Sequence, residues 1–420
     1  MIRFLINIWM KLSQSRAVEN AGPREKAFHE IVYRLTFLEG ISTSDDYLSY
    51  TIFSIIARSL SFTVVCLQLW HLFCDDLILD DMLSCINVFI IHLITLWKLT
   101  IMVRDKNVFK RLAKALDSPS LDISTQKRKD IVQYWVDTHK NYLRFLLSIA
   151  YPTLIVWQTY ALLDNVEYNL MLDVKIPYEY EGHPLRYMLT YVAVGTMFHY
   201  ASMMTVLADC ITQSHLIPLV CQFAVLADCF ENIFEECALE FQASFPEIGR
   251  HELVKNNMFV DAYLRRLSDL VTQHQVVLDQ TMDLKRILSN PMLGQLACSV
   301  IINILVGYQA TTTFTQSLGK FFQSLLYLSY NMLVLYLFCR WCEEITIQSQ
   351  NIGQSAYFSG WESGISQAPG VRATMMLIIA RSNKPLVFLA GGMYPLSLSS
   401  YTTLVKTSYS AFNLLLKTDE

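Results

Sequence analysis

Charge is scarce in this chain. Asp, Glu, Lys and Arg make up 17% of its 420 residues, while hydrophobic residues reach 53% and aromatics 12%. A soluble domain carries about 25% charge. With a mean hydropathy of +0.31, the balance excludes an ordinary soluble domain and points to a chain that crosses a membrane several times. The net charge of −4 and the lack of a basic stripe with interleaved aromatics argue against a general nucleic-acid binder. A disulfide framework is missing too. Of ten cysteines, Cys66, Cys85, Cys210, Cys298 and Cys339 lie in apolar runs, Cys221, Cys229 and Cys237 lie in a long polar stretch read as cytosolic, and Cys74 sits in a predicted outer loop without an evident partner. Cys339 and Cys342 form a CxxC spacing at the end of an apolar helix, without the βαβ setting of a redox motif. There is no HExxH, P-loop or GxSxG, no histidine cluster and no N-x-[ST] acceptor. The reading is therefore not an enzyme, with no metal and no cofactor. The first sixteen residues hold a short apolar run broken by Asn7, which suits an interfacial helix better than a signal peptide.

What is present is a series of apolar runs near the ~20 residues a spanning helix needs. Seven are predicted, at about 50–73, 83–103, 142–163, 185–215, 292–314, 321–342 and 395–416, the last being the least hydrophobic. The fold class is all-α: a polytopic membrane protein with seven transmembrane helices plus cytosolic helical extensions. The first link, "CDDLILDD", holds Asp75, Asp76, Asp80 and Asp81 and no base, whereas the second holds Arg104, Lys106, Lys110, Arg111, Lys114, Lys127, Arg128, Lys129 and Lys140. The positive-inside rule puts the second link in the cytosol, so the N-terminus is cytosolic and the C-terminus extracellular. That inverts the topology of a G-protein-coupled receptor. No DRY-type triplet follows the third span and no NPxxY lies in the seventh; Asn290-Pro291 is read as the start of the fifth. A secondary transporter would show paired broken helices in two halves, and none is visible.

The segmentation is a cytosolic N-terminal segment (1–49), spans one to four (50–215), cytosolic anchor helices (216–291), spans five and six (292–342), a cytosolic connection with the first half of helix seven (343–394), and its membrane half (395–420). Within 216–290 two helices are predicted. The second repeats Val260, Leu264, Leu267, Val271, Leu278 and Leu288 at helical spacing, a face that buries either within one subunit or between subunits. After span six, "VRATMMLIIARSNKPLVFLAGG" reads as an amphipathic helix ended by Pro385 and Gly391-Gly392. On the final helix Ser400, Thr403, Thr407, Ser410, Leu414 and Lys417 recur at spacings of three or four and form one stripe, polar over most of its length. Such a stripe faces protein or water rather than lipid. A bundle of these helices would enclose a hydroxyl-lined pore, with Leu414 an apolar constriction able to gate by dewetting. Alternatively, the hydroxyls bond to their own helix and pack against neighbours.

The segment "ARSNKPLVFLAGGMYPLSLSSYTTLVKTSYSAFNLL" resembles the C-terminus of insect odorant receptors in its RS-x-KPL, AG, PLSL and SYS-x-F elements, in order and spacing. The likeness is to a variable, odour-tuning subunit rather than the shared co-receptor. It implies a ligand-gated, non-selective cation channel of four subunits, tuning subunits assembled with co-receptor subunits, in the plasma membrane of olfactory sensory neuron dendrites. Matching positions put Leu414 at the gate and Lys417 at the outer mouth. The resemblance also implies a pocket for a small volatile odorant in the outer half of the bundle, among spans two, three, four and six. Suitable linings there are Val88, Phe89 and His92; Thr153, Val156, Trp157 and Tyr160; Tyr187, Tyr191, Gly195 and Phe198; and Tyr327, Tyr330 and Asn331. Aromatic walls with a few polar groups suit such a ligand.

Overall fold

A computed structural model describes residues 11, 13–45, 47–74, 79–119, 121–163, 168–250, 252–313, 318–362 and 364–418. Residues 1–10 and 12 of the predicted interfacial helix over 1–16, Asp75 and Asp76 of the acidic link, and residue 314 at the end of the predicted fifth span lie outside the described residues.

The described chain is almost wholly helical. In order come α1 (Pro23–Leu38), α2 (Leu48–Cys74), α3 (Leu79–Arg104), α4 (Lys106–Lys114), α5 (Gln126–Leu163), α6 (Pro184–Glu231), α7 (Ile233–Ser244), α8 (Asn257–Thr313), α9 (Leu318–Tyr357), α10 (Val371–Ser382) and α11 (Leu398–Thr418). A two-stranded antiparallel hairpin, β1 (Leu389–Ala390) with β2 (Tyr394–Pro395), joins α10 to α11. Among the described residues six helices, α2, α3, α5, α6, α8 and α9, are long and apolar enough to cross a membrane. The predicted seventh span, α11, has 21 residues but does not join them by apolar character, because its hydroxyls, Lys406 and Lys417 dilute it.

Polarity changes do not break the helices where the sequence suggested. Helix α6 runs 48 residues through position 216, and α8 runs 57 residues through Pro291. At 1.5 Å per residue these are about 72 and 85 Å long, well beyond a ~30 Å hydrocarbon layer. Asn290-Pro291 therefore lies inside a helix rather than starting one. The helix after span six also stops earlier than predicted, at Ser382, three residues before Pro385. The glycine pair instead turns the hairpin, with φ of +58° at Gly391 and +72° at Gly392, a region that glycine enters without a Cβ penalty.

The largest core sits in the part of the bundle built by these extensions. Leu216, Ile217, Cys221, Phe223, Cys229 and Phe230 of α6 are fully buried there. Leu267, Leu278 and Leu288 of α8 are buried against them, and Val260, Leu264 and Val271 are half-buried on the same core, so the apolar face of α8 is covered within one chain. Arg128 pins the ends of four elements. Fully buried, it pairs with Asp122 at 2.6 Å, Asp228 at 2.9 Å and Glu236, while Arg266 reaches Asp122 and Glu236 from α8. Burial alone would raise the Asp122 carboxyl, but hydrogen bonds from Ser124 and Arg266 and the Arg128 charge outweigh it and hold the pKa at about 2.

Candidate functional site

A cavity opens among α3, α5, α6 and α9, the second, third, fourth and sixth of the apolar helices. Its space open to the centre of a water-sized sphere is about 80 Å³, several times the ~10–15 Å³ that one water needs on that measure. Val88, Ile91 and His92 come from α3; Ala150, Thr153, Leu154 and Trp157 from α5; Phe198, Ser202, Met203, Thr205 and Val206 from α6; Tyr327 and Tyr330 from α9. The residues of each helix recur at spacings of three or four, which puts them on one face.

The aromatic walls are mutually braced. The Trp157 ring meets Tyr327 edge-on at 5.4 Å and Phe198 at 5.9 Å, and His92 meets Phe198 at 6.1 Å. Most polar groups are already engaged: Trp157 Nε1 donates to the Met171 carbonyl at 2.9 Å, Thr153 Oγ1 donates to Ile149 O at 2.8 Å, and His92 Nδ1 lies 3.3 Å from Gln68 Oε1. The Tyr327 and Tyr330 hydroxyls are buried with no protein hydrogen-bond partner among the described residues. A buried donor left unpaired costs about 1–3 kcal/mol, which a ligand accepting a hydrogen bond would relieve.

Of the residues predicted for a pocket, Val88, His92, Thr153, Trp157, Phe198, Tyr327 and Tyr330 stand on this cavity, and the others do not. Phe89 and Val156 are half-buried on the same helices but outside the lining. The Tyr160 ring is so close to Gly319 that a Cβ there would sit 2.3 Å from it. Tyr187 Oη donates to Asn169 O at 2.7 Å, Tyr191 Oη donates to Gln158 O, and Gly195 lies against Met171. Tyr187 and Gly195 thus bind the segment 168–176 to α6, where Met171, Leu172 and Val174 are buried, and Tyr191 ties α6 to α5. The alternating apolar residues of "NLMLDVKI" are the signal that this link is packed rather than loose. Asn331 faces a different neighbour, donating from Nδ2 to Asn303 Oδ1 at 2.8 Å and accepting from Ser299 Oγ at 3.3 Å.

That contact belongs to a polar network the sequence reading missed. Lys98 Nζ, 3% exposed, pairs with Asp209 Oδ1 at 2.6 Å and donates to Gln295 Oε1. Gln295 Nε2 reaches Ser299 Oγ at 3.4 Å, and Ser299 reaches Asn331. The network thus joins α3, α6, α8 and α9. It lies next to the cavity: Thr205, a lining residue one turn before Asp209, accepts from Thr95 Oγ1 at 3.0 Å. The signal was a lone lysine in span two and a lone aspartate in span four, each of which needs a partner inside an apolar bundle.

On α11 the predicted stripe is divided. Ser400 is buried, whereas Thr403, Thr407, Ser410, Leu414 and Lys417 are exposed on the single chain. Each hydroxyl donates to its own helix: Thr403 to Ser399 O at 3.0 Å, Thr407 to Thr403 O at 2.9 Å and Ser410 to Lys406 O at 3.0 Å. The opposite side rests on the bundle, with Ser408 buried and the Phe412 ring 3.5 Å from where a Cβ on Gly307 of α8 would stand.

These features define a many-helix membrane protein with an apolar, aromatic-walled cavity. Comparison with known proteins agrees. The 7tm odorant receptor family model matches residues 78–409. Odorant receptor 92a of Drosophila melanogaster is 22% identical over 322 residues, 73% of this chain and 72% of the relative. Odorant receptor Or2 of Anopheles gambiae is 24% identical over 179 residues, 40% of this chain and 44% of the relative. The solved structure of the insect olfactory receptor OR5 from Machilis hrabei superposes with a TM-score of 0.77 at 14% identity, covering 94% of this chain and 100% of that one. The same receptor in complex with eugenol gives 0.75 at 14% identity, again over 94% and 100%. At that identity the likeness shows a shared fold. The chain belongs to the insect odorant receptor family, a family of membrane receptors in olfaction rather than enzymes.

Proposed function

We propose that this chain is an odour-tuning subunit that binds a small oxygen-bearing odorant in the cavity and thereby opens a cation-conducting pore formed with co-receptor subunits, four subunits in all. The cavity itself supports this most: aromatic walls leave the Tyr327 and Tyr330 hydroxyls in want of an acceptor. The eugenol complex of the Machilis hrabei receptor, a likeness of fold, adds to it. An odorant of about ten heavy atoms, at roughly 0.5–0.8 kcal/mol per atom, binds with Kd from about a micromolar to a few hundred micromolar. Opening then requires tighter binding to the open state, because equal binding to both shifts nothing.

In this reading α11 is a seventh span lining the pore with Thr403, Thr407 and Ser410, with Leu414 at the gate and Lys417 at the mouth. The N-terminus is cytosolic and the C-terminus extracellular, and residues 216–291 serve as the cytosolic anchor. The receptor sits in the dendritic plasma membrane of olfactory neurons. The exposed hydroxyl face of α11 favours a watery or subunit-lined environment over lipid. Whole-cell recording across a panel of oxygenated and pure-hydrocarbon odorants, with and without the co-receptor, tests the proposal. Odorant-evoked cation current that needs both chains, and is larger for oxygenated ligands, is the expected result. A response through a G protein without ionic current at the receptor overturns it.

A further inference from the structure

A second, larger cleft lies at the other end of the bundle, between the segment 16–44, α2, α3 and α4, with Ile211 and His215 of α6 behind it. Its volume is about 600 Å³. Arg16, Arg58, Lys106, Lys110 and Lys114 line it against a single acid, Glu25. Three separate stretches of chain, the segment at Arg16, α2 and α4, supply these cations, so one amphipathic helix does not account for them all.

Two observations set this cleft apart from a solvated basic surface. The first is the lack of internal neutralisation. Lys110 donates to the Thr43 carbonyl at 2.8 Å, and Arg58, Lys106 and Lys114 make no ion pair among the described residues. The single lining acid, Glu25, is mostly buried and accepts from Tyr33 Oη at 2.8 Å; burial raises its pKa while the nearby Lys114 charge acts to lower it, and this one carboxyl faces all five cations. The second is the wall. Phe62, 59% exposed on α2, and Leu96 on α3 flank the cleft within helices apolar enough to span a membrane. The cations thus meet a partly exposed apolar flank on helices of spanning length. Like charges gathered in a concave site repel unless an anion joins them, and basic pockets between spanning helices at the cytosolic side suit phosphorylated lipid headgroups.

We propose that this cleft binds a polyanionic phospholipid of the phosphorylated-inositol class, its phosphates held by Arg58, Lys106, Lys110 and Lys114 and its acyl chains lying along Phe62 and Leu96. The proposal rests on the cytosolic placement of this end of the bundle, where such lipids are found. Its test does not, because lipid binding to the solubilised chain is read without regard to orientation.

The full chain in detergent is titrated with short-chain phosphatidylinositol 4,5-bisphosphate, with phosphatidylcholine of the same chain length, and with soluble inositol trisphosphate. The inositol lipid is expected to bind at least about tenfold tighter than either other probe. Equal affinity for inositol trisphosphate removes the lipid assignment, and equal affinity for phosphatidylcholine removes the site. Lys106→Gln with Lys114→Gln, both exposed positions, is expected to weaken the inositol lipid about tenfold or more, each cation near such a surface being worth roughly fivefold. Arg58→Gln serves as a separate second variant. The control Lys129→Gln with Lys384→Gln removes the same charge from exposed positions outside the cleft. A loss equal to the control's, or none in either cleft variant, overturns the proposal.

Discussion

Trp157 serves two surfaces at once. Its ring is a wall of the cavity, and its Nε1 holds the Met171 carbonyl of the packed link at 2.9 Å. Trp157→Ala should raise the half-effective odorant concentration at least about tenfold, an aromatic wall being worth a few kcal/mol in packed sites, and leave the reversal potential unchanged. If current–voltage recordings show both shifting together, cavity and pore are not separate. Lys98 is a second informative residue. Removing one partner of a buried ion pair costs about 3–5 kcal/mol, whereas replacing both with apolar groups is often neutral. Lys98→Met should therefore lower the thermal midpoint of the solubilised receptor sharply, and adding Asp209→Leu should restore most of it. An unchanged midpoint in the single variant would mean that the pair contributes little. His92, Trp157 and the α9 tyrosines were legible as pocket candidates because the resemblance pointed to spans two, three, four and six, where aromatic walls with a few polar groups suit a small ligand. Ser202, Met203 and Thr205 were not, because ordinary small and flexible residues carry no signal until a neighbour's position is known.

Among the elements, α11 and the hairpin before it form a unit. Gly391 N donates to Ser289 O at 2.8 Å, Ser289 Oγ donates to Leu389 O at 2.9 Å, and Gly392 N donates to Ser289 Oγ at 3.1 Å. The hairpin is thus clasped to α8 two residues before Pro291, and a Cβ on Gly391 would come within 2.5 Å of the Leu293 side chain. The glycine pair was legible as a stop signal, but its role as a turn against another helix depends on Ser289, about a hundred residues away in sequence. On α11, Leu414→Ser replaces the apolar group proposed as the constriction. Current without odorant should rise at least severalfold at matched surface expression; an unchanged baseline removes Leu414 from the gate. The helical spacing of this stripe was fully visible in sequence, since hydroxyls at steps of three and four mark one face. Which hydroxyls the bundle covers was not: Ser400 and Ser408 are buried while Thr403 and Thr407 are exposed.

For the molecule as a whole, five of the six apolar helices line the two cavities, and the two longest helices run far beyond any hydrocarbon layer. Composition revealed the membrane class, because burial in lipid demands long apolar runs. It misplaced the helix breaks, because polarity marks where a helix changes surroundings rather than where it ends. The proposed orientation predicts that an epitope on the N-terminus of intact cells is hidden from antibody until permeabilisation, while one on the C-terminus is stained at once. A surface-exposed N-terminus would remove the channel reading along with the orientation. One detail of α11 bears on what the whole assembly would admit. Each of Thr403, Thr407 and Ser410 gives its proton inward to its own backbone. In the proposed pore each would then turn its lone pairs outward: a ladder better suited to sodium or potassium than to chloride.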